Sequence, residues 1–104
     1  MKVEIRERDV EVTEILRAHV ERRLGLALGR FADRIGRVTV RLSGANGRTG
    51  ELATRCQIDV SLHPRNVRAG DTDADLFAAV DNASDRVSRS VARILELESE
   101  RGKR

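Results

Sequence analysis

Tryptophan and tyrosine are absent from this 104-residue chain, and Phe31 and Phe77 are its only aromatic residues. A core with so few large rings has to be built from aliphatic side chains. A surface that reads single-stranded bases by stacking them on aromatic rings is disfavoured for the same reason. Cysteine occurs once, at Cys56, so an intrachain disulfide framework is excluded and a reducing cytoplasm is the expected compartment. No stretch approaches the apolar length needed to span a bilayer, and residues 1–9 contain no signal-peptide core. No membrane partner is expected. Lysine is nearly missing too: of twenty basic residues only Lys2 and Lys103 are not arginine.

What is present is charge and aliphatic pattern. Charged residues make up 36% of the chain and hydrophobic residues 39%, with a net charge of +3 and a sequence pI near 10.0. Arginine's planar fork suits phosphate better than lysine's point charge, so an acidic partner fits this balance. The length fits one domain around one core.

Residues 2–6 alternate, with Val3 and Ile5 on one face, and read as a short strand. Thr13 sits where a helix N-cap belongs, and Leu16, Val20, Leu24, Leu28 and Phe31 then keep helical spacing. Gly25 and Gly29 predict a soft or bent second half of that helix, and Gly36 is placed to end it. Residues 37–43 alternate again, through Val38, Val40 and Leu42. The glycine-rich "SGANGRTG" that follows holds an Asn46-Gly47 hairpin turn signal. It lacks the Lys-Ser or Lys-Thr of a phosphate loop. Cys56, Ile58, Val60 and Leu62 share one face of a third strand, closed by His63 and Pro64, and Val67 and Ala69 suggest a fourth. Thr72 and Asp75 have capping-box spacing at the start of the last helix. Its stripe of Leu76, Val80, Ala83, Val87, Val91 and Ile94 has to be buried.

The expected fold is therefore α+β in the order β-α-β-β-β-α, a four-stranded sheet with two helices packed on one face. The strand-helix-strand start favours a parallel first pair, and hairpins make the rest antiparallel. Residues 1–97 form the expected domain, and 98–104 a polar, frayed tail.

Catalytic groups are scarce. Cys56 lies on the apolar side of its strand, and His19 and His63 are the only imidazoles. One cysteine and two separated histidines do not make a zinc set. Asp71, Asp73 and Asp75 lack the glycine and distal glutamate of a calcium loop and read as helix-start acids. Neither a cofactor nor a small-molecule substrate is implied, and the pattern points to a binding protein.

Arginine supplies the positive evidence. Arg86, Arg89 and Arg93 are three and then four apart, on the side of the last helix away from its buried stripe. Arg22, Arg23 and Arg30 form a second patch on the first helix, and the two patches merge if the helices lie side by side. A solvated helix back with scattered ion pairs, to which Glu21 and Asp85 contribute, accounts for the same spacing. The open sheet face is a competing surface, with Arg6, Arg37, Arg41, Arg55 and Arg68. A regulator that binds proteins through the sheet edge or face, without RNA, is the alternative function.

Three segments carry a resemblance: "VEVTEILRAHVERRL" (10–24), "VTVRLS" (38–43) and "DADLFAAVDNASDRVSRSVARI" (73–94). Together they strongly resemble the short ribosome hibernation-promoting factor and ribosome-associated inhibitor family. The most specific element is the entry to the final helix, Asp75-Leu76-Phe77-Ala78-Ala79-Val80-Asp81. The resemblance implies a fold similar to double-stranded-RNA-binding domains. It also implies binding to small-subunit ribosomal RNA in the channel used by messenger and transfer RNA, which blocks translation and preserves idle ribosomes. By position, the family's basic residues fall on Arg86, Arg89, Arg93, Arg23 and Arg30; Arg22 is added from the local patch. The chain departs from the family at 25–29, where a basic residue often carried mid-helix has no counterpart. Its glycine-rich connection is longer than in many members. It also lacks the C-terminal dimerisation domain of the long form, so autonomous ribosome pairing is not expected.

Overall fold

A computed structural model describes residues 1–46 and 52–102 of the chain. The elements are β1 (Lys2–Arg8), α1 (Glu14–Leu28), a 3₁₀ segment (Gly29–Arg34), β2 (Ile35–Asn46), β3 (Leu52–Leu62), β4 (Asn66–Asp73) and α2 (Leu76–Gly102). The α+β order read from the sequence is the order observed. The strands form one sheet in the order β1-β2-β3-β4. β1 and β2 pair in parallel, with Ile5 beside Val40, and the other two pairs are antiparallel.

Period-two alternation sends Val38, Val40, Leu42, Cys56, Ile58, Val60 and Leu62 to one face of the sheet, where all are buried. Two helices cover that face. α2 lies over β3 and β4, and α1 beside it sends Leu16, Val20, Leu24 and Leu28 into the same core. Thr13 caps α1 as expected, its hydroxyl accepting from Leu16 N at 3.2 Å.

Four local expectations are corrected. Gly25 does not interrupt α1, which stays α-helical to Leu28 with four buried leucine and valine positions, and the chain tightens to 3₁₀ only at Gly29. Gly36 does not end it, because β2 has begun by Ile35 and Gly36 falls in a register irregularity between Ile35 and Val38. Thr72 is not the cap of α2: β4 continues through it, and Asp75 caps instead, accepting from Phe77 N at 3.0 Å. The segment from 98 onward, expected as a tail, is helical as far as Gly102, where α2 ends, and Glu98 accepts from Arg34 at 2.9 Å. The Asn46-Gly47 turn falls on residues outside those described.

Among the described residues one buried hydroxyl lacks a partner. Ser84 is fully buried in the middle of α2, and its hydroxyl makes no hydrogen bond. An unmet buried hydroxyl costs about 1–3 kcal/mol, and alanine is also the better helix former. Ser84→Ala is therefore expected to raise stability by about 1–2 kcal/mol in a denaturant titration.

Candidate nucleic-acid interface

The two helices run side by side in the same direction, and polar contacts lace the seam between them. His19 Nε2 lies 2.7 Å from Asp81 Oδ1, and Arg22 Nη2 lies 3.3 Å from His19 Nδ1. Both contacts are satisfied together if Nε2–H donates to Asp81 and Nδ1 accepts from Arg22. The Phe77 ring packs at 5.0 Å against His19. Arg23 reaches across to Asp81, its Nε 3.1 Å from Oδ1, and donates to Asp85 Oδ1 at 3.0 Å. Further along, Ser88 Oγ donates to Ala27 O at 2.8 Å.

This geometry divides the six predicted arginines into two groups. Arg23 is a tie between helices, with both acceptors on α2. Arg86 turns to the other flank of α2, where it donates to Gly70 O at 2.7 Å and lies 3.2 Å from Asp71 Oδ1. Asp71 is itself on the covered side of β4, opposite Cys56, which is why its side chain is 12% exposed and well placed to receive Arg86. By contrast, Arg22, Arg30, Arg89 and Arg93 are exposed and have no carboxylate partner among the described residues. The Arg30 guanidinium carbon lies over the Phe31 ring, 4.4 Å from its centroid, a cation–π contact that leaves the charge without a carboxylate partner among the described residues. The helices do lie side by side, yet the patches do not form one uninterrupted basic surface: Asp81 and Asp85 occupy the seam between them.

Other residues singled out in the sequence have structural work. Cys56 is fully buried, and burial pushes its thiol up to about 12, with Arg55 acting weakly in the opposite direction. Asp75 caps α2, and Asp73 accepts from Asp75 N at 2.9 Å. No group of three or more metal-ligating side chains occurs among the described residues. No described helix is long and apolar enough to cross a membrane.

The face of the sheet away from the helices carries its own arginines. Arg41 and Arg68 both pair with Asp59, Arg6 lies 3.1 Å from Glu4, and Arg55 donates to Thr72 Oγ at 3.1 Å. Arg8 belongs with them, since β1 runs two residues further than the alternation of 2–6 indicated. Its basic character at the next outward position was the available signal.

Residues 3–97 match the family described as sigma 54 modulation protein / S30EA ribosomal protein. The chain belongs to that family. Within the S30EA family it is 35% identical over 86 residues to the ribosome hibernation promotion factor of Deinococcus radiodurans, an alignment spanning 83% of this chain and 44% of that protein. It is 26% identical over 106 residues to the chloroplastic ribosome-binding factor PSRP1 of Spinacia oleracea, spanning 99% of this chain and 35% of that protein. The chain thus matches less than half the length of these two curated relatives. The Protein Y N-terminal domain of Thermus thermophilus superposes with a TM-score of 0.73 at 32% identity, covering 90% of this chain and 99% of that one. A ribosomal subunit interface protein of Coxiella burnetii superposes at 0.78 with 16% identity, covering 92% and 99%, a likeness of fold. The S30EA assignment bears out the resemblance read from the three segments of sequence.

Proposed function

We propose that this chain is a non-enzymatic, cytoplasmic ribosome-binding factor that sits in the messenger and transfer RNA channel of the small subunit. There it inhibits translation and preserves idle ribosomes. The observation that carries the reading is the set of exposed, uncompensated arginines on the helix layer, in a chain whose relatives bear ribosome-binding names. Arg22, Arg30, Arg89 and Arg93 meet ribosomal RNA phosphates through charge-assisted hydrogen bonds, which position the protein without reading bases. Arg23 and Arg86 contribute mainly by holding α1 and β4 against α2, so that the outward arginines keep their spacing.

Binding in the channel makes the chain a competitor of the ribosome's own substrates. Small subunits loaded with messenger and initiator transfer RNA are expected to bind it at least tenfold more weakly than empty subunits in an equilibrium sedimentation assay. Equal binding to loaded and empty subunits would place it elsewhere on the ribosome.

A further inference from the structure

The unbalanced positive charge of this fold is greatest on the sheet, not on the helices. The helix layer, counting 14–34 and 76–102, holds nine basic and eight acidic side chains. The outward face of the sheet holds seven basic side chains against two acids, Glu4 and Asp59. The parallel register sets Arg6 directly beside Arg41 and Lys2 beside Arg37. Like charges at paired positions destabilise a sheet. Glu4, beside Arg6, and Asp59, between Arg41 and Arg68, offset only part of this charge, so the face stays strongly positive.

The arginines also share a place. Arg6, Arg8, Arg41 and Arg55 line an open hollow of about 240 Å³ across β1, β2 and β3. The one acid at its rim, Glu7, is already engaged, accepting from Val12 N at 3.0 Å. Arg55 is seated there by Gly70 on β4: a Cβ at Gly70 would lie 2.6 Å from the Arg55 guanidinium. Glycine at that position lets the side chain lie across the sheet and donate to Thr72.

We propose that the open sheet face is a second RNA-binding surface, with the Arg6/Arg8/Arg41/Arg55 hollow taking the phosphodiester backbone of an RNA strand. The proposal deepens the channel reading and rests on it: a protein that fills an RNA-walled channel meets RNA on both sides. The charge is arginine in all four positions around the hollow, whose forks bind phosphate oxygens in pairs. The face carries no aromatic residue and no methionine, the side chains that enrich the centre of a protein interface. Their absence also removes base stacking, so recognition is of backbone and not of sequence.

The test compares the wild type, Arg6→Ala/Arg8→Ala/Arg55→Ala and Arg89→Ala/Arg93→Ala for binding to purified small subunits and to a fluorescein-labelled RNA duplex across a potassium chloride series. Thermal melts by circular dichroism establish that all three are folded. If the triple variant is not, Arg8→Glu takes its place, since Arg8 is 88% exposed and its one ion pair is long, at 3.9 Å. The expected result is that the triple variant binds both RNAs at least tenfold more weakly at low salt, with the log–log salt slope shallower by about 2. Arg8→Glu should show a slope shallower by about 1. A sheet variant that matches the wild type on subunits while the helix variant is weakened overturns the proposal and leaves the channel reading standing. If no form binds subunits, the channel reading fails and the duplex decides: weaker duplex binding by the sheet variant upholds this face as an RNA surface, and unchanged binding overturns it. A loss on subunits that is insensitive to salt indicates a protein contact and also overturns it.

Discussion

Replacing Arg89 and Arg93 together with alanine is expected to weaken binding to small subunits roughly a hundredfold at low salt, without a change in thermal stability. Each arginine is exposed and makes no ion pair within the described chain, so its removal leaves no intramolecular group unsatisfied. A hydrogen bond to a charged partner contributes about 1.5 kcal/mol or more, and two such losses give about 3 kcal/mol, near a hundredfold. Because phosphate contacts release counterions, the salt slope should also become shallower by about 1.5. Arg86→Ala should give a different profile. It strips a partner from Asp71, which is 12% exposed and keeps only the Asn82 contact. Its first effect is therefore on stability, with any loss of binding following from that. Binding isotherms and melts on the two variants separate an arginine that faces RNA from one that holds the fold.

Leu24→Ala is the change expected to damage the fold most. Leu24 is fully buried at the centre of α1, among the largest side chains the core encloses. Truncating a buried leucine costs about 2–5 kcal/mol, depending on how far the site can collapse. With no tryptophan or tyrosine and few aromatics, the core is a close fit of aliphatic branches and little can move in to fill the gap. Against a total stability of about 5–15 kcal/mol for a domain of this kind, the loss should lower the melting temperature by roughly 10–30 °C. Leu26→Ala, two residues away but 74% exposed, should change stability by less than about 0.5 kcal/mol. Circular dichroism is the suitable probe of both, as the chain lacks tryptophan and tyrosine.

Much of this architecture is legible in the sequence because its elements state their periods cleanly. Val38, Val40 and Leu42 repeat at two, and Val80, Ala83, Val87 and Val91 at three and four; each set is buried as a face. The cap at Thr13 is local chemistry and could be read locally. What was not legible depends on residues brought together only by folding. Asp71 meets Arg86 because β4 presents its covered side to α2, which no spacing within either element announces. Arg23 meets Asp81 and Asp85 because α1 and α2 align in the same direction. The stripe of arginines on α2 was evident; which of them stay free was not.

The strand ends were hidden for a similar reason. β2 runs on beyond the clean alternation by pairing with β3, Gly44 beside Thr54, and position 44 has to be glycine because Asp9 O lies where a Cβ would be. Asp9 itself adopts a positive φ of 55°, and this turn from β1 toward α1 is a contact across the sheet edge with no sequence period. The cap of α2 moved from Thr72 to Asp75 because pairing with Arg55 in the β3–β4 ladder holds Thr72 in the strand. In each case a tertiary contact decided between local options that the sequence left equal.

The proposed function rests on binding of this chain to the small ribosomal subunit. The most direct measurement is sedimentation of the wild-type chain with purified small and large subunits, separately, at low salt and again after the salt is raised. The chain is expected to travel with small subunits, to be absent from the large-subunit peak, and to be released as salt rises. A chain that stays at the top of both gradients at low salt, or travels equally with both subunits, would contradict it.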